Sequence, residues 1–564
     1  MTHTGLSLRL FTVISIAMFS LSSALAEEPQ YGGDLNVGSV YVTLSPLSWD
    51  PADWNWKINH DTGMVREQLL AADLTLSEKH GGPFPYVADA YIPVEALRGE
   101  LAERWYWEDD KTLIIELRRG IMFPAREGLM AARELDAEDV LYTFNYIDQS
   151  PKRIRTYFEH LESVEARGSH AVVFRFSEYN AEWAYRFGYG YYSAIIPREM
   201  AGRDAKSWRN VAGTGPFFLS RYVQSNSQTY TRNPGYWDSL QVAERSYQLP
   251  FIDSLTYRII KDEATYLTAL RTGKIDILEA IRWIAVDHLK ETTPELKWHR
   301  WLGTSGNFIS LRVDRKPFDD IRVRRAMNLA INQREIVDLF YGGHAELMAY
   351  PQHPAFGENF QPLEEMPHSV RELFEYHPEK ARQLLADAGY PDGFEVDIQV
   401  CSCSSSNLDL IPLLDDYLSK VGVKLNVKPL EYASFLSMMT SRNHTPMYLM
   451  GSGHVNPTST LRKSFKTGQV WNPSMFSDPD VDRRINDMHR TRDDAERVQM
   501  IRELTVDMLD TAPYLWLPTG YVYTAWWPWV KNYNGELRAG AVRPGPIYAR
   551  LWIDKKMKRE MGFE

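Results

Sequence analysis

The stretch CSCSSS, residues 401–406, holds both cysteines of a 564-residue chain. Thiols this close could ligate a metal, act as a redox pair, or form part of a pocket wall. A structural metal site needs two further ligands close in space, and none stands nearby in the sequence. If the preceding strand runs on through both residues, their Cα atoms lie near the upper limit for a disulfide, although their side chains share a face. The plain reading is therefore two small thiols packed where a strand meets a loop, with a pocket-lining role as the alternative. The 14 histidines are scattered without the short spacings of metal ligation. No stretch matches H-E-x-x-H, G-x-S-x-G, G-x-x-x-x-G-K-[ST] or G-x-G-x-x-G. FGYGYY, residues 187–192, comes nearest to the last and lacks its third glycine.

Aromatic side chains are the other candidates, with 17 Trp and 31 Tyr in the chain. Most belong to cores. Trp54 and Trp56, however, alternate with Asp53 and Asn55 in a loop, and a polar-aromatic loop suits stacking on a ligand.

These residues need elements to position them. Phe394, Val396, Ile398 and Val400 alternate with Glu395, Asp397 and Gln399, which predicts a strand ending at the cysteines. Asn407 to Lys420 reads as a helix stopped by Gly422, and Val423 to Val427 as a second strand. Strand, helix and strand on short links make a βαβ unit with parallel strands. Ligands of open α/β sheets sit outside the carboxyl ends of such strands, where CSCSSS lies. Pro378 to Gly389 carries the signals of a helix with proline in its first turn. Asp136 caps a helix through Phe144, and Trp105–Trp107 with Leu113–Leu117 form a hairpin. Asp319-Asp320 precede two helices that break near Asn332. Asn59 is expected to cap a helix carrying Met64, Leu69 and Leu70. YLWLPTGYVYTAWWPWV, residues 514–530, is apolar but broken by Pro518, Gly520 and Pro528, so it reads as strands and turns.

The first 26 residues have the pattern of a cleaved export signal: Arg9, an apolar run from Leu10 to Phe19, and small residues up to Ala26. The run is shorter than the roughly 18 apolar residues of a membrane span. Cleavage is expected after Ala26, and with no cysteine at the cut a lipid anchor is not indicated. The product is expected to be soluble and periplasmic. A net charge of −11 without a clustered basic stripe argues against nucleic acid as a partner. The length implies two or more domains, and a hydrophobic content of 44% can fill their cores.

Five blocks in order carry a family resemblance: LRRGIMF…LDAEDVLYTFNYI, then residues 213–238 (GTGPFFLSRYVQSNSQTYTRNPGYWD) and residues 251–278. FDDIRVRRAMNLAINQREIV (318–337) and YHPEKARQLLADAGYPDGF (376–394) follow. The chain resembles the extracytoplasmic solute-binding proteins of ABC importers, family 5, the class of dipeptide, oligopeptide, nickel and oligosaccharide receptors. The resemblance implies an α/β two-lobed periplasmic binding protein fold, type II, with an extra subdomain and a hinge of two crossing strands. Lobe I would comprise residues 27–75, 190–305 and 515–564, with 76–189 as its accessory subdomain, and lobe II residues 306–514. The crossings are expected near Gly306–Val313 and Tyr514–Pro518. The implied function is capture of a peptide-like or other medium-sized solute between closing lobes and its delivery to membrane permease subunits. A monomer is expected, with no cofactor, no metal and no catalysis.

Peptide-binding members carry a W-x-x-D-Y-x-D-P-like segment whose first aspartate pairs with the peptide's amino group. The matching stretch here, residues 447–462, offers Gly453, His454 and Asn456 and no acid. A buried ammonium without a carboxylate would be costly. An acid from elsewhere must substitute, or the ligand is an oligosaccharide or an opine-like solute. The candidate ligand-binding residues are Trp54, Trp56, Asn307, Cys403, Ser404, His454, Asn456 and Trp516. A secreted hydrolase whose groups converge only in the fold, and a metal or metal-chelate carrier using Cys401, Cys403 and His454, are the readings from other classes.

Overall fold

The computed structural model describes residues 27–39, 48–54, 56–88, 90–303, 305–453 and 456–563. The expected export signal and His454 lie outside the described residues.

The chain enters through β1 (Asp34–Gly38) and the short helix α1 (Lys57–Thr62). An antiparallel group follows, built of β2 (Ala102–Asp109), β3 (Thr112–Leu117), β4 (Leu161–Ala166) and β5 (Ala171–Phe176), in the order β2-β3-β5-β4. Helix α2 (Ala137–Asp148) interrupts it, and Asp136 and Asp139 form a reciprocal capping box at its start. The chain then supplies β6 (Phe217–Val223), β7 (Ser227–Arg232), β8 (Ser254–Arg258), helix α3 (Glu263–Arg271), β9 (Ile277–Arg282) and β10 (Lys297–Leu302).

From β11 (Ser305–Leu311) the chain builds a second sheet. It continues through α4 (Ile321–Leu329), a two-residue strand β12 (Ala345–Glu346), α5 (Pro378–Asp387), β13 (Phe394–Cys401), α6 (Ser405–Ser419), β14 (Val423–Leu430), α7 (Tyr432–Thr440) and β15 (Met447–Gly453). Helices α8 (Pro457–Phe465), α9 (Pro479–Arg490) and α10 (Asp494–Asp510) lead to β16 (Tyr514–Trp516) and β17 (Thr519–Trp526).

The first sheet runs β6-β7-β8-β1-β9-β17-β10, with β12 added against β17; the second runs β14-β13-β15-β11-β16. Apart from the short excursion of β12, the chain passes between sheets before β11 and again between β16 and β17. Gly303 N–H donates to the Gly520 carbonyl at 3.1 Å and ties the two passages together. The first passage comes ahead of Gly306–Val313, because Ser305 to Leu311 already pair with β15 in the second sheet.

The βαβ unit has parallel β13 and β14, paired from Phe394↔Val423 to Cys401↔Leu430. Its inner face follows from the alternation: Val396, Ile398 and Val400 pack with Leu410, Leu414 and Leu418 of α6. Two glycines let the strands start side by side. A Cβ on Gly393 (φ 77°) would stand 1.9 Å from the Gly422 carbonyl oxygen, closer than atoms can approach.

The expected helix from Asn59 is corrected. Asn59 lies inside α1, where its side-chain amide donates to the carbonyls of Gly190 and Ala541 at 3.1 and 2.7 Å. Leu70 belongs to a short strand, not to this helix. Tertiary packing overrides the periodicity here: Gly63 ends the helix against Arg543, which forms a fully buried pair with Glu100 at 2.6 Å.

Leu414→Ala, which empties the α6 contact with β13, is expected to lower the unfolding free energy by about 2–5 kcal/mol in urea titrations. Lys428→Thr, on the outward face of β14, should change it by no more than about 0.5 kcal/mol. Equal costs at the two positions would contradict the assigned faces.

Candidate functional site

A cavity of about 1390 Å³ lies between the two sheets. One wall comes from the second sheet: Cys401 at the end of β13, Cys403 and Ser404–Asn407 at the start of α6, Tyr432, Phe435 and Met439 of α7, Leu449–Gly451 of β15, and Arg462 of α8. The facing wall holds Ser39, Trp54, Trp56, Tyr157, Arg186, Tyr192, Arg258, Glu263, Glu279 and Arg282. The carboxyl ends of β13 and β15 point at this space, as open parallel sheets require.

Trp54 follows a tight turn capped by Asp50, whose carboxylate accepts the Ala52 N–H. Its backbone is left-handed (φ 53°), which costs a non-glycine residue about 1–2 kcal/mol. Tyr192 Oη donates to its carbonyl at 3.0 Å, and the two rings lie 4.5 Å apart. Trp56 reaches the opposite wall, where its Nε1 donates to Tyr432 Oη at 3.2 Å. Asn307 lines the cavity beside the first passage between sheets, and its amide meets Tyr341 Oη at 3.5 Å.

The expectation against a disulfide is overturned: Cys401 and Cys403 are bonded to each other. The strand ends at Cys401 and the chain turns over the next two residues, so the Cα atoms come to 5.1 Å instead of the strand spacing. Bonded sulfurs are not thiolate ligands. Among the described residues no three His, Cys, Asp or Glu side chains come together as a metal site.

Other candidates stand as follows. Ser404 lines the cavity and caps α6 through the Asn407 N–H. Asn456 is buried at the start of α8, where its side-chain Oδ1 accepts the Ser459 N–H at 2.7 Å; the cap consumes it, and it does not line the cavity. Trp516 is 2% exposed and packs on Tyr350 and Tyr514 in the core of the second sheet, away from the cavity lining.

The carboxylates of the cavity wall are engaged. Asp53 pairs with Lys152; burial pushes its carboxyl up, but hydrogen bonds from Lys152 and Ser48 outweigh that and leave it below the usual range. Glu263 binds Arg282, and Glu279 accepts from Ser39 Oγ and Tyr548 Oη at 2.8 Å each. In the stretch that would carry the amine-binding acid, the described residues facing the cavity include Met450, Gly451, Ser459 and Arg462. Basic groups stand apart from these pairs: Arg258 donates to Asn36 Oδ1 at 3.0 Å, and Lys261 has no ion pair among the described residues.

An ion cluster that the sequence did not announce closes one rim. Glu182 accepts from Arg186 one helical turn on, and from Arg462 of α8 at 3.2 and 3.1 Å. Arg462 also donates to the Thr156 carbonyl at 2.8 Å, and the Arg186 guanidinium lies 4.1 Å over the Tyr157 ring. Burial pushes the Glu182 carboxyl up, but the charges of Arg186 and Arg462 outweigh it and hold the group well below the usual carboxylate range. His489 lies beside it, with Nε2 3.9 Å from Glu182. Burial drives its imidazole down to about 3, against the opposing pull of Glu182 and with Arg462, His160 and Arg186 reinforcing the shift. The sequence held one partial signal, the tyrosine-rich FGYGYY, which supplies Tyr191 and Tyr192 to the wall.

The comparisons with known proteins fit this geometry. Residues 96–472 match the model of the bacterial extracellular solute-binding proteins, family 5, and the chain belongs to that family. It is a solute-binding protein of the two-lobed α/β type. Di/tripeptide-binding protein 1 of Pseudomonas aeruginosa is 25% identical over 507 residues, covering 85% of this chain and 88% of that one. The fold is similar to that of the periplasmic binding protein DppA from Helicobacter pylori in complex with the peptide STSA, with TM-score 0.76, 22% identity and coverage of 93% and 99%. It is also similar to AgaA from A. tumefacien R10 in complex with agropinic acid, with TM-score 0.74, 20% identity and coverage of 93% and 99%. Among the described residues no helix is long and apolar enough to cross a membrane.

The rim cluster sets a pH dependence. Folded His489 stays neutral where the unfolded chain takes up a proton, so stability falls as pH drops from about 6.5 toward 3, by up to about 1.4 kcal/mol per pH unit for this group. Glu182, held low, contributes stability that is full above about pH 4.5 and is lost as pH falls through its folded value. Unfolding measured between about pH 7 and 5 should show a slope that His489→Gln reduces by up to one proton's worth. Glu182→Gln should keep that slope and lower stability at about pH 7 by about 3–5 kcal/mol, because two buried arginines lose their carboxylate. An unchanged slope in His489→Gln would remove this histidine from the account.

Proposed function

We propose that this protein is the periplasmic solute-binding component of an ABC importer. Cleaved after Ala26 and working as a monomer without catalysis, it captures a peptide-like solute between two lobes and presents the closed form to membrane permease subunits. The observation that carries this reading is the cavity itself, whose two walls come from different sheets joined by two strand passages. A solute touching both walls stabilises the closed arrangement by its differential affinity for it. The lobes follow the boundaries 27–75, 190–305 and 515–564 against 306–514, with 76–189 as the accessory subdomain. In support, each sheet draws its strands from one of these sets, apart from β12 and a residue or two at the passages.

One observation favours a second reading, an opine-like acidic solute or an oligosaccharide. The cavity carboxylates Asp53, Glu263 and Glu279 are engaged, while Arg258 and Lys261 stand without acid partners among the described residues. A free ammonium finds no waiting acid there, whereas a ligand carboxylate finds bases. The relative named for di- and tripeptides and the fold neighbour holding agropinic acid support the two readings in turn.

Mass spectrometry of the compound that co-purifies, followed by Trp-fluorescence titration with di- and tripeptides, opines and oligosaccharides, decides between them. Trp56→Ala is expected to weaken binding of the responding solute about 10- to 100-fold, the usual cost of truncating an aromatic anchor. Tyr432→Phe, which removes the acceptor of Trp56 Nε1, should cost about 10-fold or less. A folded protein that answers to none of the panels, or that turns one over, would overturn the proposal.

A further inference from the structure

The Cys401–Cys403 disulfide is a part of the cavity wall that solute binding alone does not explain. It joins residues with a single serine between them, and the stabilisation a disulfide gives grows with the length of the loop it closes. This one restrains almost none of the unfolded chain. Its sulfurs also sit in different surroundings. Cys401 is 5% exposed and packs with Phe435, Met439 and Tyr448. Cys403 is exposed, and both residues line the cavity. Cys403 lies directly before Ser404, the cap of the fifteen-residue α6, where the chain has turned out of the strand and its sulfur faces the cavity. The Cys403 N–H donates to Cys401 Sγ at 3.2 Å, so a donor already stands where charge would appear if the bond opened.

We propose that this disulfide exchanges with thiol-bearing solutes held in the cavity, an inference that rests on the cavity being the solute site. The solute thiol gives its proton to water, and its thiolate attacks the exposed Cys403 sulfur. A solute–Cys403 disulfide forms, the Cys401–Cys403 bond breaks, and its electron pair leaves on Cys401 as a thiolate held by the Cys403 N–H. Attack by Cys401 back on the Cys403 sulfur expels the solute thiolate and restores the starting disulfide. No external oxidant or reductant is consumed over the cycle. Burial of Cys401 directs the incoming sulfur to Cys403.

The test incubates the mature protein with reduced glutathione and, separately, with its S-methyl derivative, then quenches in acid and alkylates free thiols. Intact mass and peptide mapping should show glutathione on Cys403 and alkyl label on Cys401, with no adduct from the S-methyl compound. Cys401→Ser, charged with oxidised glutathione, should hold the adduct at least tenfold longer than wild type, because the returning thiol is gone. Should that variant fail to fold, the mapping on wild type still decides. An intact disulfide after incubation, or an adduct on Cys401, overturns the proposal. Saturable binding of reduced glutathione in the fluorescence titration without any adduct overturns this inference alone; an adduct formed while neither glutathione nor any panel compound binds overturns it together with the solute-receptor reading.

Discussion

A carboxylate shared by arginines from opposite walls of a cleft governs how this molecule holds together. Glu182 and Arg186 belong to the segment that carries the small antiparallel sheet; Arg462 belongs to α8, packed with the second sheet. Apart, each group could be hydrated. Together they are buried, and the desolvation of three charges is set against their mutual attraction, a balance that sits close to even in proteins. Closure held by such a cluster is specific in geometry but weak in net free energy. The balance can then be tipped by whatever fills the space behind it, which is the condition for a population shift driven by ligand.

That space is defined by simple strand physics. Parallel β13 and β14 send their carboxyl ends, and the start of α6, toward it. The facing wall carries Trp54 in a left-handed turn, and it makes a hydrogen bond across the cleft at Trp56 and Tyr432. Polar capacity in the wall is already partly spent on internal pairs, so the selectivity of the cavity lies in the groups left over.

Much of this architecture was legible in the sequence because it rests on local rules. The alternation from Phe394 to Val400, the proline at the start of α5 and the capping aspartate of α2 all correspond to observed elements. The order of five sequence blocks identified the family. Trp54 and Trp56 are marked by loop composition, Cys403 and Ser404 by a strand end, and Asn307 only by its place in an expected crossing; all five line the cavity. The failures were tertiary. Asn59 looks like a cap and is instead a buried amide clamping two distant carbonyls. Trp516 and Asn456 are spent on packing and capping. Arg186 stands one helical turn from Glu182, but Arg462 carries no local signal, since it lies 280 positions away and only the closed cleft joins it to the pair. The disulfide has no signal in the strand alternation, because it depends on the turn that begins directly after Cys401.

The two-residue strand β12 belongs by sequence to the part of the chain that builds the second sheet, yet it pairs with Thr519 and Gly520 of β17 in the first. It sits beside the two passages and adds a third fastening along one edge. A body fastened at three points along an edge has one easy motion, a swing about that edge, and little freedom to slide or twist. Displacement then grows with distance from the fastened edge. In the two-lobe reading proposed above, Asn307, on the strand that follows the first passage, would keep nearly the same neighbours through such a swing. A solute entering would meet the inner end of the cavity already formed, with only the outer end left to assemble around it.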